Sequence, residues 1–302
     1  MNTYVATAYD EEVQRLALGL EVVDAQRRQR ATPLISVAFD GVPSAEPPYR
    51  GPRQVGGLSI DDVLRRVDRH ESCLFVLTSF KGLFRKGKKE SVDLRFLSYD
   101  RRFVPRRLTI PLQDPVAIAA ADPPDLVAGD PALLGPGRSR AVHLFPGAAY
   151  DVGHNMTGLR GRVRSVVDKK TPVKWVRVEA RLAAGRDGQP GAVVGRAQGD
   201  DRGEFLLLIS SDASPLGPLP PTLKLPITVT VWALATPPAV SDFVKRNDPL
   251  WELPLEVVTG SGPADPVSLG EQLPPGYTKT AFATVTFELG RFLTSEIPPF
   301  IL

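Results

Sequence analysis

Apolar and polar residues alternate along much of this chain, and the period of two predicts strands. Between Met156 and Ile209, Leu159, Val163 and Val166 mark one strand. Trp175, Val176 and Val178 mark a second, Val193 and Val194 open a third, and Phe205 to Ile209 form a fourth. Asp200-Asp201-Arg202-Gly203 is the expected turn before the fourth: Gly203 supplies a positive φ, Asp200 or Asp201 accepts backbone N–H bonds, and Phe205 re-enters the core. Strands are expected at 15–23, 34–39, 73–80, 92–99, 159–167, 174–182, 204–209, 227–234 and 281–289. In the last of these Ala281, Ala283, Val285, Phe287 and Leu289 share one face. One stretch breaks the rule. Residues 58–70 place apolar side chains at 60, 63, 64 and 67, which is helical spacing, with Ser59 as an N-cap; an irregular crossover is the alternative reading.

The 30 prolines and 26 glycines among 302 residues favour many short strands and turns. The expected architecture is all-β. Residues 1–114 form an N-terminal β-sandwich, 115–154 a Pro/Gly/Ala-rich connector, and 155–302 a C-terminal β-sandwich with extra strands. The two halves echo one another in the order strand, polar turn, strand. A divergent tandem repeat and a convergence of generic strand patterns both account for that echo.

Reaction chemistry is hard to find. The chain has no phosphate-binding G-x-x-x-x-G-K-[ST], no G-x-G-x-x-G after a strand and no G-x-S-x-G elbow. His70, His143 and His154 lack metal-ligand spacing, and structural roles or simple exposure are expected for them. The single cysteine, Cys73, reads as a small buried hydrophobe. Trp175, Trp232 and Trp251 lie in strand-like contexts and are expected in the core; a carbohydrate platform would need aromatics on one exposed face. Arg106 and Arg107 are neighbours on one strand, so one of them should meet solvent or an acidic partner. No metal, no cofactor and no catalytic set is expected, and the chain is read as no enzyme.

A net charge of +3 gives nucleic-acid binding little support, and no nucleic-acid partner is expected. No run of about 18 apolar residues is present, so no membrane span is expected. The opening MNTYVATAYDEEVQRL lacks the basic start and apolar centre of a secretion signal, which points to a cytoplasmic location.

The order Gly161, Val163, Pro172, Val176, Val178, Asp200, Gly203, Phe205 resembles the carboxypeptidase regulatory-like, or transthyretin-like, β-sandwich. That resemblance implies an accessory module, and no peptidase chemistry comes with it. The opening Leu20-Glu21-Val22-Val23-Asp24-Ala25, the Phe103-Val104-Pro105 step, Leu144-Phe145-Pro146 to Tyr150 leading into Arg160-Gly161-Arg162-Val163, and the C-terminal aliphatic strand extend it. Together they are similar to such proteins accompanying phage-tail-like contractile injection particles. The resemblance implies a non-catalytic structural or assembly component, at the cap or tail end, touching other protein subunits in a symmetric ring. A carbohydrate- or surface-binding module is the alternative.

Two segments are candidate partner-binding elements. One is the basic run Lys81, Phe84, Arg85, Lys86, Lys88 and Lys89, where aromatic and cationic residues interleave. The other is the apolar tail ending in Phe300, Ile301 and Leu302, which should be buried either in its own fold or in a neighbour.

Overall fold

The computed structural model describes residues 16–31, 34–40, 54–55, 58–59, 67–70, 74–78, 91–121, 138–183, 191–210, 224–259, 265–294 and 300–302. The described residues are mostly strand, with two short helices. Cys73 and the basic run Lys81, Phe84, Arg85, Lys86, Lys88 and Lys89 lie outside them.

The strands are β1 (Leu16–Asp24), β2 (Gln29–Arg30), β3 (Ile35–Phe39), β4 (Gln54–Val55), β5 (Leu58–Ser59), β6 (Asp68–Arg69), β7 (Phe75–Thr78), β8 (Ser91–Ser98), β9 (Arg106–Pro111) and β10 (Ser139–Leu144). They continue with β11 (Gly158–Arg164), β12 (Arg177–Leu182), β13 (Val193–Gln198), β14 (Glu204–Leu208), β15 (Lys224–Leu234), β16 (Leu255–Val257), β17 (Tyr277–Glu288), β18 (Phe292–Leu293) and β19 (Phe300–Ile301). The helices are α1 (Pro115–Ala121) and α2 (Asp242–Asn247).

Each of the nine expected strands overlaps an observed one. The helical expectation at 58–70 fails at both described ends, where β5 pairs with β4 and β6 pairs with β7. Ser59 therefore caps no helix: it lies in β5. Two helices form instead where no helix was expected. In α1, Asp114 accepts a hydrogen bond from Val116 N at 2.8 Å, and Pro115 fills the first helical position, where a missing N–H costs nothing. In α2, Ser241 caps the N-terminus.

Two sheets, β10-β1-β7-β6 and β16-β9-β8-β3, line a first apolar cluster centred on Leu20, Leu94, Phe96, Leu108 and Leu144. Two more, β14-β11-β18 with β19 and β13-β12-β15-β17, line a second around Leu159, Val178, Val229 and Phe287. The strand β14 belongs to both. Leu206 and Leu208 face the first cluster, while Phe205 and Leu207 face the second. Burial on both faces explains why this strand reads as a continuous apolar run and does not alternate. The preceding turn is as expected: Gly203 has φ +71°, and Asp200 Oδ1 accepts from Arg202 N and Glu204 N, each at 2.9 Å.

Two strands cross the expected divisions of the chain. Within the 115–154 stretch, β10 runs parallel to β1, pairing Gly19–Asp24 with Ser139–Leu144. Much later, β16 returns to run parallel to β9. Arg95 on β8 reinforces that return with a two-pronged bond to Asp248. The described helices include none long and apolar enough to cross a membrane.

Candidate functional site

The junction between the two apolar clusters is built on charge. Arg106 of β9 is fully buried and Glu256 of β16 is 1% exposed, with Nη2 and Oε2 2.7 Å apart. Arg177 of β12 reaches the other carboxylate oxygen at 2.9 Å. One carboxylate thus joins a strand bordering the first cluster to a strand bordering the second. Burial would raise the Glu256 carboxyl, but Arg106 and Arg177 outweigh it and hold it below its ordinary value. Arg107, next in sequence, binds Asp40 at 2.8 Å and the Leu253 carbonyl at 2.8 Å. Both arginines therefore meet acidic partners.

The remaining donors of Arg106 bind the carbonyls of His143, Val267 and Ser268 at 2.8, 2.5 and 2.8 Å. This fixes the loop 265–273. Asp265 shapes the same loop by accepting from Val267 N and Ser268 N. Gly270 then packs flat against Phe145. Its φ is +72°, and a Cβ there would fall 2.5 Å from the ring. Arg177 Nη1 meanwhile holds the Trp175 carbonyl, which also accepts from the Tyr277 hydroxyl at 2.7 Å. Burial pushes that phenol up to about 12.

The fixed loop roofs one end of the outer face of sheet β13-β12-β15-β17. Strand register places Gln198 beside Arg177 and Arg177 beside Trp232, then Arg196 beside Glu179 and Glu179 beside Thr230. On β17, Thr280 lies opposite Trp232 and Phe282 opposite Thr230. Trp232 and Phe282 are thus diagonal neighbours on one face, where long side chains come within reach of each other. Phe282 is 75% exposed. Trp232 is half-buried there and does not lie in the core, which corrects the sequence expectation. The signal was present in ITVTVWAL: Trp232 alternates with Thr228 and Thr230, opposite Ile227, Val229, Val231 and Ala233. Trp175 is buried against Val104 and Leu253, as expected. Trp251 is half-buried, with the Lys245 ammonium 5.6 Å from its ring centre.

Between the roof and the sheet is a cavity of about 160 Å3, lined by Phe145, Arg177, Glu179, Arg196, Gln198 and Trp232 among others. Gln198 is 1% exposed, and neither amide atom has a hydrogen-bond partner among the described residues. Leaving a buried amide unmatched costs about 1–3 kcal/mol. Arg196 and Glu271 also line a larger groove of about 690 Å3 under the β1–β2 turn, with Arg27, Arg28 and His143. Burial, then Arg106, lowers the His143 pKa. His143 is thus partly enclosed at the edge of β10. Of the other histidines, His70 and His154 are exposed. Among the described residues no group of three or more His, Cys, Asp or Glu side chains could hold a metal ion.

The C-terminal tail docks within its own chain. Phe300 pairs with Val163 across β11–β19, is 6% exposed, and sets its ring 5.9 Å from Phe205. Ile301 and Leu302 are half-buried, and the Leu302 carbonyl accepts from Val166 N beside the exposed Val166–Val167 pair. Of the two dockings expected for the tail, this is the intramolecular one.

No protein-family model, curated protein or solved structure matches the chain.

Proposed function

We propose that this protein is a non-catalytic structural component of a large assembly, made of two β-sandwich domains and acting through protein–protein contacts in the cytoplasm. The observation that carries this reading is β17. It spans 12 residues at one end of its sheet, and no further strand pairs with its outer side among the described residues. Its middle presents Thr280, Phe282 and Thr284 to solvent. A long edge with an exposed aromatic invites pairing with another chain, and natural monomers blunt such edges. The occupant is the strand edge of a neighbouring subunit, added by backbone pairing and anchored by Phe282.

The buried Arg106–Glu256–Arg177 bridge supports the same reading, because it fixes the spacing between the two halves as a scaffold requires. The sequence resemblance supplies the setting, a phage-tail-like contractile injection particle, and β-sandwiches suit the symmetric rings that close the cap or tail end of a tube. The exposed Val166–Val167 pair beside Leu302 offers a second, smaller contact. The test is Phe282→Lys in the full chain. The variant should fold normally yet fail to enter the native particle, and unimpaired incorporation would overturn the reading.

A further inference from the structure

We propose that the roofed cavity beside Gln198 is a binding site for a single neutral sugar unit, a function independent of the assembly reading. Gln198 carries one acceptor and two donors on a side chain that is itself buried, and no protein group among the described residues answers them. Buried amides in folded proteins nearly always find partners. The cavity it lines, at about 160 Å3, has the scale of one six-membered ring with its substituents.

The charge balance decides the ligand class. Arg177 and Arg196 face Glu179 and Glu271 in the same lining, so the formal charges cancel. These groups are also largely engaged already: Arg177 binds Glu256, and Glu179 binds Arg181 and Arg196. Neither an anion nor a cation is favoured. A neutral molecule rich in hydroxyls suits the amide, since each hydroxyl both donates and accepts. Trp232 supplies an apolar wall for the C–H face of such a ring. The roof is held in place from behind, because Arg106 binds the carbonyls of Val267 and Ser268, three and two residues before Gly270. The site is therefore preformed, and little ordering is needed on binding.

The experiment is a titration of the intact protein with glucose, galactose and N-acetylglucosamine, following the three tryptophan indole N–H signals by NMR. The Trp232 signal, assigned with Trp232→Phe, should move saturably with at least one sugar, with a Kd on the order of 1 mM for one ring. Trp175 and Trp251 should stay still. Gln198→Leu removes the unmatched amide without adding volume, so the variant should melt no lower than the parent while its affinity falls at least about tenfold. If none of the three sugars gives a saturable Trp232 shift, or if Gln198→Leu binds as well as the parent, the assignment is wrong and Gln198 is satisfied by solvent alone. Glucose, galactose and N-acetylglucosamine do not test the β17 edge, so failure here leaves the assembly reading to its own experiment.

Discussion

Arg106 and Glu256 are 150 residues apart in sequence, yet their side chains meet at 2.7 Å in a place shut off from solvent. Two charges removed from water are stable only because each is answered. Glu256 has two arginines, and Arg106 adds three backbone carbonyls. Removing the carboxylate leaves two guanidinium groups without their counter-charge. Glu256→Ala should therefore lower unfolding stability by about 3–5 kcal/mol in chemical denaturation. A loss under about 1 kcal/mol would mean that the two halves are not held by this bridge.

Acid should act through two groups. His143 has a lowered pKa in the fold, so its contribution is complete above its unfolded value near 6.5 and declines as pH falls below it. The Glu256 carboxyl is also held low, so its contribution persists to about pH 4.3 and is lost on further acidification. Denaturation midpoints measured from pH 7 to about pH 2 should fall in two stages, one below the unfolded histidine value and one below the unfolded glutamate value. His143→Gln should flatten the first stage alone.

The turn before β14 makes a sharp local prediction. Gly203 sits at φ +71°, and an added Cβ would lie 2.7 Å from the Val163 carbonyl oxygen. Gly203→Ala should cost at least about 1–2 kcal/mol. Phe205→Ala, which empties a fully packed site shared with Phe300, should cost about 3–5 kcal/mol. Both are read by thermal or urea melts, and a neutral Gly203→Ala would mean that the turn has another shape.

Truncation tests the tail. Phe300 is core, and Leu302 exchanges backbone bonds with Arg164 and Val166. Deleting residues 300–302 should remove about 2–3 kcal/mol of stability through the lost aromatic burial. An unchanged melting curve would show that the strand β19 adds nothing to the fold.

Much of the strand pattern was legible because most strands bury one face, and that leaves a period of two. In β15 the alternation marked both the core side and the outer side. The parallel pairings were not legible: AVHLF and WELPLEVV read as strands, but the neighbour each one joins lies more than 100 residues away. The helical spacing at 58–70 does not hold at its described ends, because there the pairing of β5 with β4 and of β6 with β7 decides the backbone. The buried bridge was half visible. Two adjacent arginines on a strand must point to opposite faces, but no local rule says that the inward one finds Glu256. The outer-face site was hidden for a different reason. The alternation in β15 already sets Trp232 on the outer side, but only the register with β12 and β17 shows which residues share that face.

The most direct measurement is microscopy of the native purified material, comparing the parent protein with Phe282→Lys. Phe282 is so exposed that the substitution should shift stability by no more than about 0.5 kcal/mol. The assembly reading predicts that the parent appears as ordered particles containing a ring of this chain, and that the folded variant appears as isolated subunits. Isolated subunits for the parent, or intact rings for the variant, would contradict it.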